Sequence, residues 1–160
     1  MPIQKLTFQN TDGHQLSARL TMPADGKPLA YALFAHCFTC TKNMKAVRHI
    51  SQAMMDQGIA VLQFDFTGLG ESEGDFSDTN FSSNVDDLVV AAEFLGQQYA
   101  GPHLLIGHSL GGAAVLQAAA SISILRGRSD HRCPGNHRAG RAGDGHAGGS
   151  TVYHQETVSR

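Results

Sequence analysis

No lysine follows position 45 in this sequence of 160 residues, and not one Ile, Leu, Val, Phe, Met or Tyr occurs between residues 126 and 150. The second absence excludes a buried strand from that stretch, because a strand in a core needs an apolar face. Long hydrophobic runs are missing too: no segment approaches the roughly 18 consecutive apolar residues of a membrane-spanning helix. The opening MPIQKLTFQNTDG has neither the basic start nor the unbroken apolar segment of a secretory signal. Together these absences lead to the expectation of a soluble, cytoplasmic protein with no membrane partner. Cysteine is scarce, and an odd count of three (Cys37, Cys40, Cys133) without an export signal argues against a disulfide framework. Charge is sparse as well, 16% of residues against about 25% in ordinary soluble chains, which fits extensive buried sheet.

What is present divides unevenly. Residues 1–120 hold four Lys and two Arg against eight Asp and three Glu, whereas residues 121–160 hold six Arg against two Asp and one Glu. The first part is therefore net −5 and the second net +3, and the chain changes character near position 121. A length of this order suits one domain and not two. The expected organisation is a folded unit over 1–121 and a Gly-, Arg- and His-rich tail over 122–160.

Before 121 the pattern alternates. Residues 3–8 and 16–22 flank the turn cluster Asn-Thr-Asp-Gly and predict an antiparallel hairpin at a sheet edge. LAYALFAH (29–36), IAVLQFDF (59–66) and residues 102–106 read as strands covered on both faces, since they are nearly continuous apolar runs. Met44, Val47, Ile50 and Met54 recur at helical spacing and stop at Gly58. A second helix is expected from an N-cap at Ser82 or Ser83, with Val85, Leu88, Val89, Ala92 and Leu95 on one face. A third, Ala-rich helix spans 109–121. Strand and helix in this order imply a mostly parallel sheet with right-handed crossovers and helices on both faces.

Between the third buried strand and the third helix stands Gly107-His108-Ser109-Leu110-Gly111, a G-x-S-x-G sequence. The physics of a nucleophile elbow asks for this arrangement: the serine sits in a strained turn, and side chains two residues to either side would strike the adjoining strand or helix. Ser109 then projects above the sheet at a helix N-terminus, where free N–H groups and the helix dipole favour developing negative charge. One oxyanion donor is the Leu110 N–H. The other comes from the loop after the third strand of the chain, His36-Cys37-Phe38-Thr39-Cys40, with the Phe38 N–H as candidate. His36 reads as a loop brace, because the base of such a site follows the acid in chain order. The bland alternative is a glycine-rich turn with an inert hydroxyl, or a phosphate-binding turn.

Two other motifs compete. Cys37-x-x-Cys40 between a strand and a helix matches a dithiol redox signature. Two further strand–helix units and an unexplained elbow argue against it, and two small apolar thiols packing a loop is the simpler reading. Gly68-x-Gly70 after the fourth strand resembles a dinucleotide loop, yet Glu73 stands where the third glycine belongs, and Glu71, Glu73 and Asp75 would repel a pyrophosphate. A structural turn fits better, and no cofactor is expected.

The blocks FAHCFTC, FDFTGLGESEGDF, NFSSNV and LLIGHSLGGAA resemble the α/β-hydrolase domain at the front of bifunctional α/β-hydrolase/OsmC-type proteins, within the wider serine-aminopeptidase-like hydrolases. The likeness covers residues 1 to about 121. It implies a truncated α/β-hydrolase fold and a serine hydrolase with Ser109 as nucleophile, acting on a small ester or acyl substrate. In that family an OsmC-like domain follows, and nothing of the kind is seen here.

A triad also needs an acid and a histidine on loops after further buried strands. Seven glycines and no large apolar residue in 126–150 read as disorder, so Asp130, Asp144, His146 and His154 supply the letters of a triad but not its geometry. The triad acid and histidine are left unassigned, and hydrolysis is expected to be impaired or absent, the third possibility being a noncatalytic remnant. The tail resembles an out-of-frame reading of a GC-rich gene. Translating the other frames of the DNA tests this: no frame yielding apolar strands with an acid and a histidine would sink it. His131, Cys133 and His137 match no standard zinc spacing, and a net +3 is small for nucleic acid, so neither a metal nor a nucleic-acid partner is expected.

Overall fold

A computed structural model describes residues 3–37 and 45–122. Five strands, β1 (Ile3–Gln9), β2 (Gln15–Thr21), β3 (Ala30–Ala35), β4 (Ile59–Phe64) and β5 (Leu104–Gly107), form one sheet in the order β1-β2-β4-β3-β5. β1 and β2 are antiparallel to each other, β2 is antiparallel to β4, and β3 runs parallel to both β4 and β5. The hairpin thus extends one side of a parallel core, as the turn cluster at 10–13 led us to expect.

Period-two alternation decides which residues meet which layer. Leu16, Ala18 and Leu20 of β2, Leu33 and Ala35 of β3, and Ala60, Leu62 and Phe64 of β4 share one face, where they meet the helices α2 (Phe81–Gln98) and α3 (Leu110–Ala119). Ala32, Phe34, Val61 and Ile106 point the other way and pack on Val47, Ile50 and Met54 of helix α1 (Lys45–Asp56). β3 and β4 are covered on both sides, hence their nearly continuous apolar sequences, broken only by the buried Gln63 of β4. Each fully buried Leu or Phe here contributes about 1.5–3 kcal/mol relative to exposure.

The second helix starts earlier than its sequence suggests. Its N-cap is Asn80: the Asn80 side chain accepts from the Ser83 N–H at 3.0 Å while Ser83 Oγ accepts from the Asn80 N–H at 3.0 Å. Ser82 and Ser83 lie inside the helix, because the reciprocal pair satisfies two donors that a cap at Ser83 would leave open. Among the described residues no helix is long and apolar enough to cross a membrane.

Candidate active site

Parallel strands deliver their following loops to one edge of the sheet, and β3, β4 and β5 each lead to a piece of the site. From β4 comes the segment 65–74. Asp65 is fully buried; its carboxylate accepts from the Glu71 N–H at 3.1 Å and its carbonyl accepts from Ser72 Oγ at 2.6 Å. Gly70 closes this loop with φ +56°, and a Cβ there would lie 2.4 Å from Asp65 Oδ2. The glycines therefore serve a tight carboxylate-centred turn. Glu73 fits the same purpose, accepting from the Gln15 N–H at 2.8 Å through its side chain. The structure supports the structural-turn reading over the dinucleotide one.

A second buried carboxylate anchors the start of this loop. Asp87 on α2 accepts from the Thr67 N–H at 2.9 Å and from the Asn10 side-chain amide at 3.2 Å, and Thr67 Oγ1 adds a further bond at 2.8 Å. Desolvation raises its pKa above the ordinary carboxylate value, and the bonds from Thr67 and Asn10 oppose that rise.

From β3 comes His36, 1% exposed. Its Nδ1 donates to the Cys37 carbonyl across 2.7 Å, its Nε2 faces Asp65 Oδ1 at 3.5 Å, and its ring meets Phe66 edge-on at 5.3 Å. A ring so enclosed braces the loop and offers no nitrogen to a substrate, consistent with the role read from its position. Cys37 is 6% exposed and disulfide-bonded, which departs from the expected pair of packing thiols. Phe38 and Cys40 lie outside the described residues.

From β5 comes the elbow. Ser109 has φ 56° and ψ −123°, the first central position of a type II′ turn, and it is the one non-glycine residue with positive φ among those described. Such a backbone costs about 1–3 kcal/mol and persists where the surroundings over-determine it. The surroundings do so. A Cβ on Gly107 would lie 2.4 Å from the Gly112 Cα, and one on Gly111 would lie 2.4 Å from the Ala35 carbonyl oxygen and 2.5 Å from that of His36. The His108 N–H donates to the Ala35 carbonyl at 3.0 Å and the Gly112 N–H to the Ser109 carbonyl at 2.9 Å, pinning the turn from both sides. Ser109 stands exposed at the N-cap of α3, and its hydroxyl makes no capping bond. The Leu110 N–H, first in the helix, is not taken up by the turn, and the Leu110 side chain is 46% exposed.

The structure thus brings Gly107, Ser109, Leu110, Gly111, His36 and the buried Asp65 to one edge of the sheet. The His36–Asp65 pairing was missed in the sequence; the signal was a carboxylate ending the apolar run IAVLQF. Asp130, His131, Cys133, His137, Asp144, His146 and His154 lie outside the described residues, and among the described ones no group of three His, Cys, Asp or Glu could hold a metal ion.

A parallel core flanked by an antiparallel hairpin, with a strained serine where β5 turns into a helix, defines the class of α/β-hydrolase folds. Residues 27–127 match the model of the serine aminopeptidase S33 family, and the chain belongs to that family. It is 29% identical over 123 residues to monoglyceride lipase of Homo sapiens, covering 75% of this chain and 40% of that protein. The esterase domain of a Rhodothermus marinus protein superposes with a TM-score of 0.64 at 55% identity, covering 78% of this chain and 48% of that one. Est1E from Butyrivibrio proteoclasticus, solved with ferulic acid bound, gives 0.65 at 25% identity over 72% and 47%. The chain spans about half, or less, of the length of these relatives.

Proposed function

We propose that the chain carries the nucleophile and oxyanion-binding portion of a serine esterase acting on small acyl esters. The observation that carries this reading is the Ser109 backbone: an exposed hydroxyl held at positive φ on a helix N-terminus, with glycines at 107 and 111 where any side chain would collide. Ser109 Oγ attacks the ester carbonyl, the serine proton passes to a base and then to the departing alcohol, and water releases the acid from the acyl-serine. The Leu110 N–H, with the Phe38 N–H as its partner, holds the oxyanion. The relatives' names, an esterase domain and a lipase, support an ester as the substrate class. The blocks FAHCFTC and FDFTGLGESEGDF support a place beside the front domain of the α/β-hydrolase/OsmC-type proteins.

The base and its acid are unassigned, since residues 126–150 hold no Ile, Leu, Val, Phe, Met or Tyr from which a carrying strand could be read. Losing triad members lowers the rate by about 10⁴-fold or more, so the expected activity is a slow residual hydrolysis. The test is mass spectrometry after excess fluorophosphonate, with p-nitrophenyl acetate turnover alongside. Labelling should map to Ser109 and vanish in Ser109→Ala. Turnover undiminished in Ser109→Ala, or a folded wild-type chain that takes no label, overturns the nucleophile assignment.

A further inference from the structure

Residues 1–120 contain only two arginines, Arg19 and Arg48, 29 positions apart. The fold brings both to one cavity of about 190 Å³ beside α1, with His49, Ser51 and Gln63 also in its wall and no acidic residue lining it. Arg19 sits directly opposite Gln63 on β4 and opposite Lys5 on β1, so three strands present their polar residues on the same face in one row. Gln63 and Ser51 are buried and bonded to each other, and Ser51 Oγ donates to the Val47 carbonyl at 2.8 Å, which fixes the floor. None of the elbow residues lines this cavity.

Neither arginine has an ion pair among the described residues, and Arg19 Nε is buried with no hydrogen-bond partner. That combination is expensive. A buried guanidinium N–H without an acceptor leaves its desolvation uncompensated, and a second cation nearby adds repulsion. A doubly charged tetrahedral oxyanion offers acceptors to both planar forks at once. The nearest acid on the same helix, Asp56, lies two turns beyond Arg48, about 12 Å along the axis, and accepts from the Gln52 side chain at 2.9 Å. The positive locus stands within a segment of net charge −5, so an anion is drawn to this place and repelled elsewhere.

We infer that the cavity between Arg19 on β2 and Arg48 on α1 is a binding site for a phosphate-type oxyanion, either free or as a phosphate monoester, separate from the serine site. The experiment is isothermal titration and amide NMR on the full chain with inorganic phosphate and glycerol phosphate, against chloride and acetate at matched ionic strength. Phosphate should bind, with shifts centred on β2, β4 and α1. Arg48→Gln, an exposed position that leaves the fold intact, should weaken binding by roughly tenfold or more, and Arg48→Lys should recover only part of it, having charge without the fork. Ser109→Ala should bind phosphate as the wild type does, which separates this site's failure from that of the esterase reading. Binding of both ligands assigns recognition to the oxyanion; binding of the monoester alone also supports the site and adds a contact to its organic part. No response to either inorganic phosphate or glycerol phosphate up to about 10 mM, an equal response to chloride, or undiminished binding in Arg48→Gln overturns the inference.

Discussion

Gly111 and Gly112 are neighbours in one helix, and their substitution by alanine should move stability in opposite directions. In a helix interior Ala is favoured over Gly by about 1 kcal/mol, a gain common to both. At 112 the added methyl meets the Gly107 carbonyl oxygen at 3.6 Å, an ordinary contact, so the gain survives. At 111 it meets two carbonyl oxygens at 2.4 and 2.5 Å, where a carbon and an oxygen normally stay about 3.3 Å or more apart. The oxygens belong to the last residue of β3 and the one after it, and Ala35 is held by the β5 ladder and by the His108 N–H, so the wall cannot yield cheaply. Overpacking costs typically about 1–3 kcal/mol, and a backbone wall puts this case at the upper end, about 3 kcal/mol before the helix gain is subtracted. For a chain of this size each kcal/mol shifts the melting temperature by about 2–4 °C. Gly111→Ala should therefore melt several degrees below wild type and Gly112→Ala slightly above it, followed by circular dichroism and urea titration. Gly111→Ala melting at or above Gly112→Ala would refute the claim that α3 is seated on β3 through a bare backbone contact.

Three further outcomes follow from the same structure. Ser109→Gly should stabilise the fold by about 1 kcal/mol in urea titration, relief of the positive φ outweighing the added freedom of the unfolded chain; a loss of stability would mean the turn is not strained. Leu62→Ala removes a fully buried side chain from the middle of β4 and should cost about 2–5 kcal/mol, read from the shift of the urea midpoint at constant slope. Asp87 has its pKa raised in the fold, desolvation outweighing the bonds from Thr67, so it holds its proton better there than in the unfolded chain. Its contribution is full below the unfolded value of about 3.9 and is lost as pH rises through the folded value. The stability of wild type relative to Asp87→Asn should accordingly fall as pH increases from about 4, and a difference that grows with pH would reverse the assigned sign.

Local patterns carried much of the architecture. Continuous apolar sequences marked β3 and β4, and the glycine spacing around Ser109 marked the elbow, because the steric demands there act within five residues. What escaped were pairings over distance. Arg19 and Arg48 look like scattered surface cations until the β2–β4 register and the return of α1 place them together. Asp65 reads as part of a strand until the loop folds back to give it a backbone donor from Glu71. The cap of α2 lies at Asn80 because Asn80, Ser82 and Ser83 are all residues able to start a helix, and only the reciprocal bonding of Asn80 with Ser83 selects one. Phe38 stays a proposal, lying outside the described residues, and so does the change of character near 121.

Ala35 and Gly107 are direct partners in the parallel ladder between β3 and β5. Whatever leaves the ends of these two strands therefore starts from anchor points a fixed interval apart, about 4.8 Å, which belongs to peptide geometry and not to any side chain. Drift in the surrounding side chains can remodel what meets the serine while the gauge between the ends of the two strands stays constant, much as rolling stock changes on rails of one width.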